Sequence, residues 1–250
     1  MPVASASTPS CEPSRALLRT AGRALGEFQM VRPGDRILLG LSGGKDSLTL
    51  LHLLRALQHR LPVPFELAAA TIDPCIEGYD PSFLEDYVRT LGISYHYVRQ
   101  PIIERAQKTM RNDSFCAYCA RMRRGALYRV AREGGYGVLA LGHHLDDIAE
   151  SFFMSAFHEG RLHTMRAHYR NDAGDIRVIR PLAYVRERQI IEFARQAALP
   201  ALRDNCPACF EAPTERQHMK TWLSAEEKRH HRLFLSLRHA LRPLLGEPPE

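Results

Sequence analysis

The sequence has 250 residues, of which 45% are hydrophobic and 25% are charged, with a formal net charge of +6. This apolar fraction is typical of a folded domain and excludes wholesale disorder. Six cysteines are too few for a small disulfide-stapled fold. No apolar run approaches the ~18 residues of a membrane helix. We therefore expect a globular protein of the cytoplasm, without membrane contact, whose paired cysteines serve metal or redox chemistry.

Residues 1–14 contain neither a basic stretch nor an apolar one, so we expect a disordered tail rather than a secretory signal. The positive charge is concentrated in two blocks. Residues 101–133 hold eight Lys or Arg against three Asp or Glu, and residues 214–245 hold seven against three. Such blocks are typical of a face that binds a polyanion, and equally of a solvated helix surface.

Short apolar runs alternate with amphipathic segments along the chain. Strands are predicted at 36–41, 67–73, 93–98, 138–141 and 178–181. Helices of ten or more residues separate such strands in βαβ units, which predicts an α/β fold with a doubly wound parallel sheet of five strands and helical additions. Ser14 and Ser82 are the predicted caps of two helices. We expect the catalytic domain to cover 15–213 and a basic helical segment to cover 214–250.

The segment between the first strand and its helix reads Ser42-Gly-Gly-Lys-Asp-Ser47. Ligands of such sheets bind where strands pass into helices. Consecutive glycines let backbone amides approach an anion, and the helix dipole adds positive potential. Ser42 and Ser47 can donate to phosphate oxygens, Lys45 adds charge, and Asp46 suits an intervening Mg²⁺. The alternative is a tight turn with a serine cap.

This hexapeptide resembles the PP-loop of the ATP pyrophosphatases, which cleave ATP between its α and β phosphates and adenylate a substrate. The resemblance implies an adenine nucleotide alpha hydrolase-like fold. It implies that ATP is bound by Leu41, Ser42, Gly43, Gly44, Lys45, Asp46, Ser47, Asp73, Gly142 and His143. Within the run Gly142-His-His-Leu-Asp-Asp147, Asp146 and Asp147 are candidates for holding Mg²⁺ or acting as a base. The alternative is a carboxylate pair favoured by the helix dipole.

Four of the six cysteines form two pairs, Cys116-x-x-Cys119 and Cys206-x-x-Cys209. Two such pairs can close a tetrahedral zinc site. Three thiolates with one open position instead suit an iron–sulfur cluster. A redox-active pair is a third alternative, but a thioredoxin-like context is missing.

Three segments together, 116–128, 142–147 and 179–187, resemble the tRNA 2-thiocytidine biosynthesis family, and the similarity covers about residues 15–215. That family uses ATP, Mg²⁺ and a [4Fe-4S] cluster to thiolate an anticodon-loop cytidine, tRNA position 32. The resemblance implies the cluster ligands Cys116, Cys119 and Cys209, with Cys206 as an alternative ligand or spare thiol. It also implies a homodimer, a tRNA substrate, and a sulfur donor such as a cysteine desulfurase or sulfide.

The expected chemistry follows from these parts. Adenylation of the ring oxygen makes AMP the leaving group, and sulfide or persulfide then attacks the activated carbon. The predicted catalytic residues are Asp46, Asp146, Asp147 and Arg123. Arg123 or its neighbour Arg124 would stabilise the adenylated intermediate or contact the RNA backbone. The segment from Arg216 to Arg242 would contact phosphates, with Trp222 as a core anchor.

Three alternatives remain open from the sequence. The first is a PP-loop thiolase of a uridine or another substrate. However, the uridine-thiolating relatives commonly carry extra terminal zinc-binding cysteines, which this sequence lacks. The second is a zinc-stapled protein that binds ATP and RNA without sulfur transfer. The third is a lysidine-type ligase, which would leave the cysteine pairs unexplained.

Overall fold

The computed structural model describes residues 12–76, 78–109, 115–202 and 214–246. In this part of the chain, six strands form one sheet in the order β3-β2-β1-β4-β6-β5. All neighbouring strands are parallel except β5 and β6. The strands are β1 (Asp35–Gly40), β2 (Phe65–Asp73), β3 (Ser94–Arg99), β4 (Val138–Ala140), β5 (His168–Arg170) and β6 (Arg177–Ile179).

The doubly wound α/β fold is confirmed, but the prediction of five strands was wrong. The sixth strand, β5, has only three residues, and none of them is fully buried. It carries no apolar run, so sequence periodicity could not reveal it. It pairs antiparallel with β6, with His168 opposite Ile179, and therefore runs away from the carboxyl edge of the sheet.

Helices cover both faces of the sheet. They are α1 (Arg15–Glu27), α2 (Lys45–Gln58), α3 (Phe83–Thr90), α4 (Ile102–Thr109), α5 (Phe115–Gly134), α6 (Leu145–Met154), α7 (Glu187–Gln196), α8 (Glu215–Arg229) and α9 (Leu233–Leu245). Side chains alternate along β1, because Ile37 and Leu39 join the large core while Leu38 faces a second core with Leu127 of α5. Helix α5 thus packs on one face, and α2, α6 and α7 pack on the other.

The carboxyl-terminal helices α8 and α9 belong to the large core. Leu223, Phe234 and Leu241 are buried within it. Trp222 is partly buried against the same core, with its ring 5.0 Å from that of Phe153. The apolar side chains of this segment therefore anchor its helices to the sheet domain.

The ends of the helices differ in how they are capped. Ser14 caps α1 as predicted, because its Oγ accepts from the amide of Leu17 at 3.2 Å. Ser82 makes no such bond, so the predicted side-chain cap of α3 was wrong. Helix α6 is followed by a π-helical turn, Ser155–Glu159. Within the described ranges, no helix is both long and apolar enough to cross a bilayer.

Candidate active site at the carboxyl edge of the sheet

The loop between β1 and α2 is organised by its own serines. The hydroxyls of Ser42 and Ser47 lie 3.1 Å apart, and Ser47 donates to the carbonyl of Gly44 at 3.0 Å. Gly43 has φ +82°, and a Cβ there would stand 2.5 Å from a methyl carbon of Leu202. Only glycine combines that backbone conformation with so little space. The loop is therefore organised by hydrogen bonds of its own serines and by packing against Leu202.

The loop after β4 closes against this first loop. A Cβ built on Gly142 would lie 3.2 Å from the carbonyl carbon of Asp46 and 3.2 Å from the amide nitrogen of Ser47. Because β1 and β4 are neighbours in the sheet, their carboxyl ends bring the two predicted nucleotide segments into contact. Both segments border one cavity of about 530 Å³, a size usual for a small-molecule site.

This cavity is lined by residues at the carboxyl ends of β1, β2, β4 and β6, at the starts of α2, α6 and α8, and on α5, together with Met165. Eight of the predicted site residues are among them, namely Leu41, Ser42, Asp46, Ser47, Arg123, Gly142, His143 and Asp147. The opposite wall is α5, which contributes Ala120, Arg123 and Leu127. Gly43, Gly44, Lys45, Asp73 and Asp146 are not among the lining residues.

Four arginines give the cavity its charge: Arg123, Arg124, Arg180 and Arg216. Arg123 lies over the ring of Tyr79 at 5.9 Å, and the Tyr79 hydroxyl donates to the carbonyl of Ser42 at 3.0 Å. Arg180 is buried beside His143, with Nε 3.2 Å from Nδ1. Burial and Arg180 lower the pKa of His143 to about 3, so this imidazole is neutral at physiological pH. Because four arginines border it, the cavity suits a polyanion.

The carboxylate of Asp46 is suited to a cation. Its Oδ2 lies 3.1 Å from Lys45 Nζ, whereas its buried Oδ1 has no hydrogen-bond partner among the described residues. Burial raises the pKa of Asp46. In the described ranges, no three His, Cys, Asp or Glu side chains are grouped as a protein-only metal site requires. Mg²⁺ is commonly held by one or two carboxylates together with phosphates, and Asp46 fits that arrangement.

The neighbours Asp146 and Asp147 have different surroundings. Asp147 closes a capping box, because its Oδ2 accepts from the amide of His144 at 2.9 Å, and its Oδ1 lies 3.2 Å from Arg216 Nη2. Burial opposes ionisation of Asp147, but His144, His143 and Arg216 lower its pKa. Asp147 thus borders the cavity as a carboxylate.

Asp146 instead faces α7. Its carboxylate accepts from Arg186 Nε at 3.1 Å and from the amide of Glu187 at 2.8 Å. Arg186 also donates to Glu227 of α8 at 2.7 Å. Asp146 therefore ties the start of α6 to two other helices. The structure does not bring this predicted catalytic residue to the cavity.

Asp73 likewise turns away from the cavity. Its Oδ1 accepts from the amide of Cys75 at 2.8 Å, and its Oδ2 accepts from the hydroxyl of Tyr97. Ala70 and Ile72, also on β2, border the cavity instead. Ala70 and Ile72 of this strand, rather than the carboxylate at its end, therefore belong to the cavity wall.

Of the paired cysteines, Cys119 is described, and it lies half-buried on α5 directly before the cavity residue Ala120. Cys206, Cys209 and the side chain of Cys116 lie outside the described residues. The chain on either side of 203–213 is held at the site. The Leu202 amide donates to Gly43 at 2.9 Å, and Arg216 borders the cavity.

Sequence reasoning missed Arg180 and did not place Arg216 at the cavity. Arg180 follows β6 directly, so its place at a strand end could have indicated a site residue. Arg216 was expected to contact RNA phosphates, but it is held by Asp147 and by Glu150, at 2.9 Å from Glu150 Oε2. Those partners lie 66 and 69 residues away in sequence. Only the packing of α8 on α6 reveals them.

The chain matches a known protein family and named relatives over most of its length. The protein family described as PP-loop domain matches residues 17–220. A relative named tRNA-cytidine(32) 2-sulfurtransferase from Geobacter sulfurreducens is 40% identical over 228 residues, which are 91% of this chain and 89% of the relative. A relative of the same name from Pelobacter propionicus is 42% identical over 215 residues, covering 86% and 80%.

Two solved structures share the fold. One is the U34-tRNA thiolase NcsA from Methanococcus maripaludis with its [4Fe-4S] cluster, with TM-score 0.74, 24% identity and coverage of 94% of this chain and 79% of that one. The other is an NH3-dependent NAD synthetase from Campylobacter jejuni, with TM-score 0.50, 16% identity and coverage of 94% and 98%. At these identities the likeness concerns the fold.

Proposed function

Because this chain belongs to the PP-loop family, and within it to the tRNA-cytidine(32) 2-sulfurtransferases, we propose that it is an ATP-dependent tRNA thiolase that replaces O2 of cytidine 32 by sulfur. The observation that carries this proposal is the common cavity of the PP-loop and Arg123, four residues after Cys119. ATP activation and sulfur transfer require those two segments to meet. The names of the relatives favour cytidine over uridine.

ATP is proposed to bind with its phosphates at the amino end of α2. The amides of the PP-loop and the hydroxyls of Ser42 and Ser47 contact the pyrophosphate there. Ser42 and Ser47 are already oriented by the 3.1 Å contact between their hydroxyls. Lys45 is held by Asp46 and Glu187, which raise its pKa although burial opposes the charge. Lys45 therefore supports the loop as a cation.

Asp46 is the proposed protein ligand of Mg²⁺, through its Oδ1, which accepts no hydrogen bond from the described residues and lies 3.7 Å from His144 Nε2. When bound, this ion neutralises charge on the departing pyrophosphate. Asp147 remains a second candidate, but its two oxygens already accept from His144 and Arg216. Asp146 is proposed to position α6 and α7 rather than to touch the reactants.

The chemistry has two steps. Cytidine O2 attacks the α-phosphorus of ATP, the bond from that phosphorus to the bridging oxygen breaks, and pyrophosphate leaves. Sulfide then attacks C2, the C2–O bond breaks, and AMP leaves with the oxygen. Arg123, in the α5 wall of the cavity, is proposed to neutralise the negative charge of the adenylated cytidine.

Cys116, Cys119 and Cys209 are the proposed ligands of a [4Fe-4S] cluster, with Cys206 as an alternative ligand or spare thiol. Cys116 and Cys119 stand one helical turn apart on α5, a spacing that lets two thiolates reach one cluster. When bound, the cluster would carry the sulfur for transfer. The sulfur source is proposed to be sulfide or a cysteine desulfurase, and the assembled form a homodimer.

The proposal is tested by measuring the products that the protein forms from ATP. Reconstituted protein with ATP, Mg²⁺, sulfide and tRNA should release pyrophosphate and AMP, and only when tRNA is present. Iron and labile sulfide should be about four each, lost in Cys116→Ser, Cys119→Ser and Cys209→Ser but kept in Cys206→Ser. One zinc that depends on all four cysteines, with no cluster, would support the zinc-stapled alternative instead.

A further inference from the structure

An exposed strip runs along the outer side of α6. Leu162 is 75% exposed and Phe157 57% exposed, which makes them the most exposed large apolar side chains in the described part of the chain. Between them lies the exposed Arg161, and His163 follows. We name residues 157–163 the α6 strip. None of the side chains of the α6 strip lines the ATP cavity or is buried in the core.

The strip is held in place and leads towards the cavity. The Arg161 amide donates to the carbonyl of Ser155 at 3.2 Å, and Thr164 Oγ1 donates to the carbonyl of Ile148 at 2.7 Å. The chain therefore runs antiparallel to α6, back along about 10 Å of that helix. The next residue, Met165, lines the ATP cavity. The chain that continues from the strip thus borders the cavity.

The base of the strip packs against other aromatic side chains. The ring of Phe157 packs 5.6 Å from that of Phe153 and 5.8 Å from that of Trp222. The far end of the segment is tied to β6, because the Arg180 amide donates to the carbonyl of Ala167 at 2.8 Å. A fixed, half-exposed aromatic ring loses little entropy when a planar group stacks on it.

The composition of the segment suits RNA better than protein. Residues 157–170 contain three arginines, three histidines and one acid. That acid, Glu159, lies with Oε2 3.1 Å from the hydroxyl of Ser155 on α6. Glu215 of α8 lies 3.4 Å from His158 Nε2. Two apolar side chains beside Arg161 form too small a patch for a stable protein interface. Aromatic and arginine side chains along one groove are typical of sites that bind single-stranded nucleic acid.

We propose that the α6 strip binds unstacked anticodon-loop nucleotides that flank the target cytidine. Bases pack on Phe157 and Leu162, and Arg161 contacts a phosphate. Single-stranded loops splay their bases onto aromatic side chains in this way. The inference rests on the proposed function, because it takes a tRNA as the substrate.

The test compares variants of the full chain. Phe157→Ala and Leu162→Ser remove the apolar contacts, and Arg161→Gln removes the charge. Matched controls on α7 are Ile191→Ser, at an aliphatic residue that is 49% exposed, and Arg195→Gln, at an exposed arginine. The readouts are affinity for a fluorescent anticodon stem-loop by anisotropy, ATP affinity by calorimetry, and the unfolding temperature.

We expect Phe157→Ala to weaken stem-loop binding about tenfold. Arg161→Gln should weaken binding and reduce its salt dependence. The ATP affinity of the strip variants should equal that of the wild type. The two control variants should bind the stem-loop with wild-type affinity. Leu162→Ser keeps the test valid if Phe157→Ala unfolds, because that side chain is three-quarters exposed.

Wild-type affinity for the stem-loop in both Phe157→Ala and Leu162→Ser would overturn the inference. So would a change of oligomeric state in those variants without a loss of RNA binding, because the strip would then be a protein interface. Failure of the proposed function looks different. In that case the wild-type protein itself would leave tRNA unmodified, whatever the variants do.

Discussion

The backbone of Gly142 lies against that of Asp46, and a Cβ on Gly142 would stand 3.2 Å from the Asp46 carbonyl carbon. The contact joins the ends of β1 and β4, which carry the two predicted nucleotide segments. Backbone atoms cannot swing aside as a flexible side chain can. Any side chain at position 142 must therefore displace one of the two loops.

Gly142→Ala should separate these loops and weaken ATP binding. Forcing a methyl group into such a contact typically costs about 1–3 kcal/mol, which corresponds to a loss of affinity of roughly fivefold to 150-fold if the cost falls on the bound state. Calorimetric titration with ATP measures it. Gly22→Ala is the matched control, because a Cβ at Gly22 on α1 meets nothing within 4 Å. Equal ATP affinities for the two variants would show that the contact does not shape the site.

Asp146→Asn should destabilise the protein. Asp146 and Arg186 are largely buried, and removing one partner of a buried ion pair typically costs about 3–5 kcal/mol. Arg186 keeps Glu227 as a partner, so we expect the lower end of that range. Urea unfolding measures the change. Glu85→Gln, which breaks an exposed pair with Arg89, should cost less than about 1 kcal/mol. Unchanged stability with lost turnover would return Asp146 to the catalytic residues.

Tyr79 should act as a positioning residue between the PP-loop and α5. Tyr79→Phe removes the hydrogen bond to the Ser42 carbonyl but keeps a ring beneath Arg123. A single hydrogen bond is worth about 0.5–1.5 kcal/mol, so the KM for ATP should rise severalfold. Tyr79→Leu also removes the ring and should lower kcat as well. Steady-state pyrophosphate release separates the two effects. Identical kcat and KM values in Phe and Leu variants would refute a role for the ring.

Stability should fall as the pH is lowered below neutrality, partly through His52. Burial and nearby Arg55 lower the pKa of His52 to about 4, below its ordinary value of 6.5. The unfolded chain therefore binds more protons between those values, and the stabilisation present above pH 6.5 is lost as the pH falls towards 4.

His52→Phe should flatten this dependence by up to about 1.4 kcal/mol per pH unit. The stability of His52→Phe should still fall somewhat as the pH is lowered, because the pKa of His143 is also lowered. Urea unfolding at pH 7.5, 6 and 5 measures the free energy of unfolding of the wild type and of His52→Phe. His59→Phe, at an exposed position after α2, is the control. A wild-type slope in His52→Phe would mean that His52 is charged in the folded protein.

Local signals in the sequence were sufficient for the PP-loop and for five strands. Ser42 to Ser47 and the run 142–147 each follow an apolar strand, and parallel topology alone brings strand ends together. The partners of a carboxylate at such a strand end, however, come from parts of the chain that are distant in sequence. Asp146 is separated by 40 residues from Arg186, and Asp147 by 69 from Arg216. Neighbouring aspartates therefore received the same prediction although the fold gives them different partners.

The direct test of the account is nucleoside analysis of tRNA by mass spectrometry. Unmodified tRNA is incubated anaerobically with the reconstituted protein, ATP, Mg²⁺ and sulfide, and is then digested to nucleosides. The proposed function requires 2-thiocytidine, mapped to position 32, that is absent without ATP and strongly reduced in Arg123→Ala. The appearance of 2-thiouridine instead, or of no thiolated nucleoside from a protein that carries its cluster and binds ATP, would contradict it.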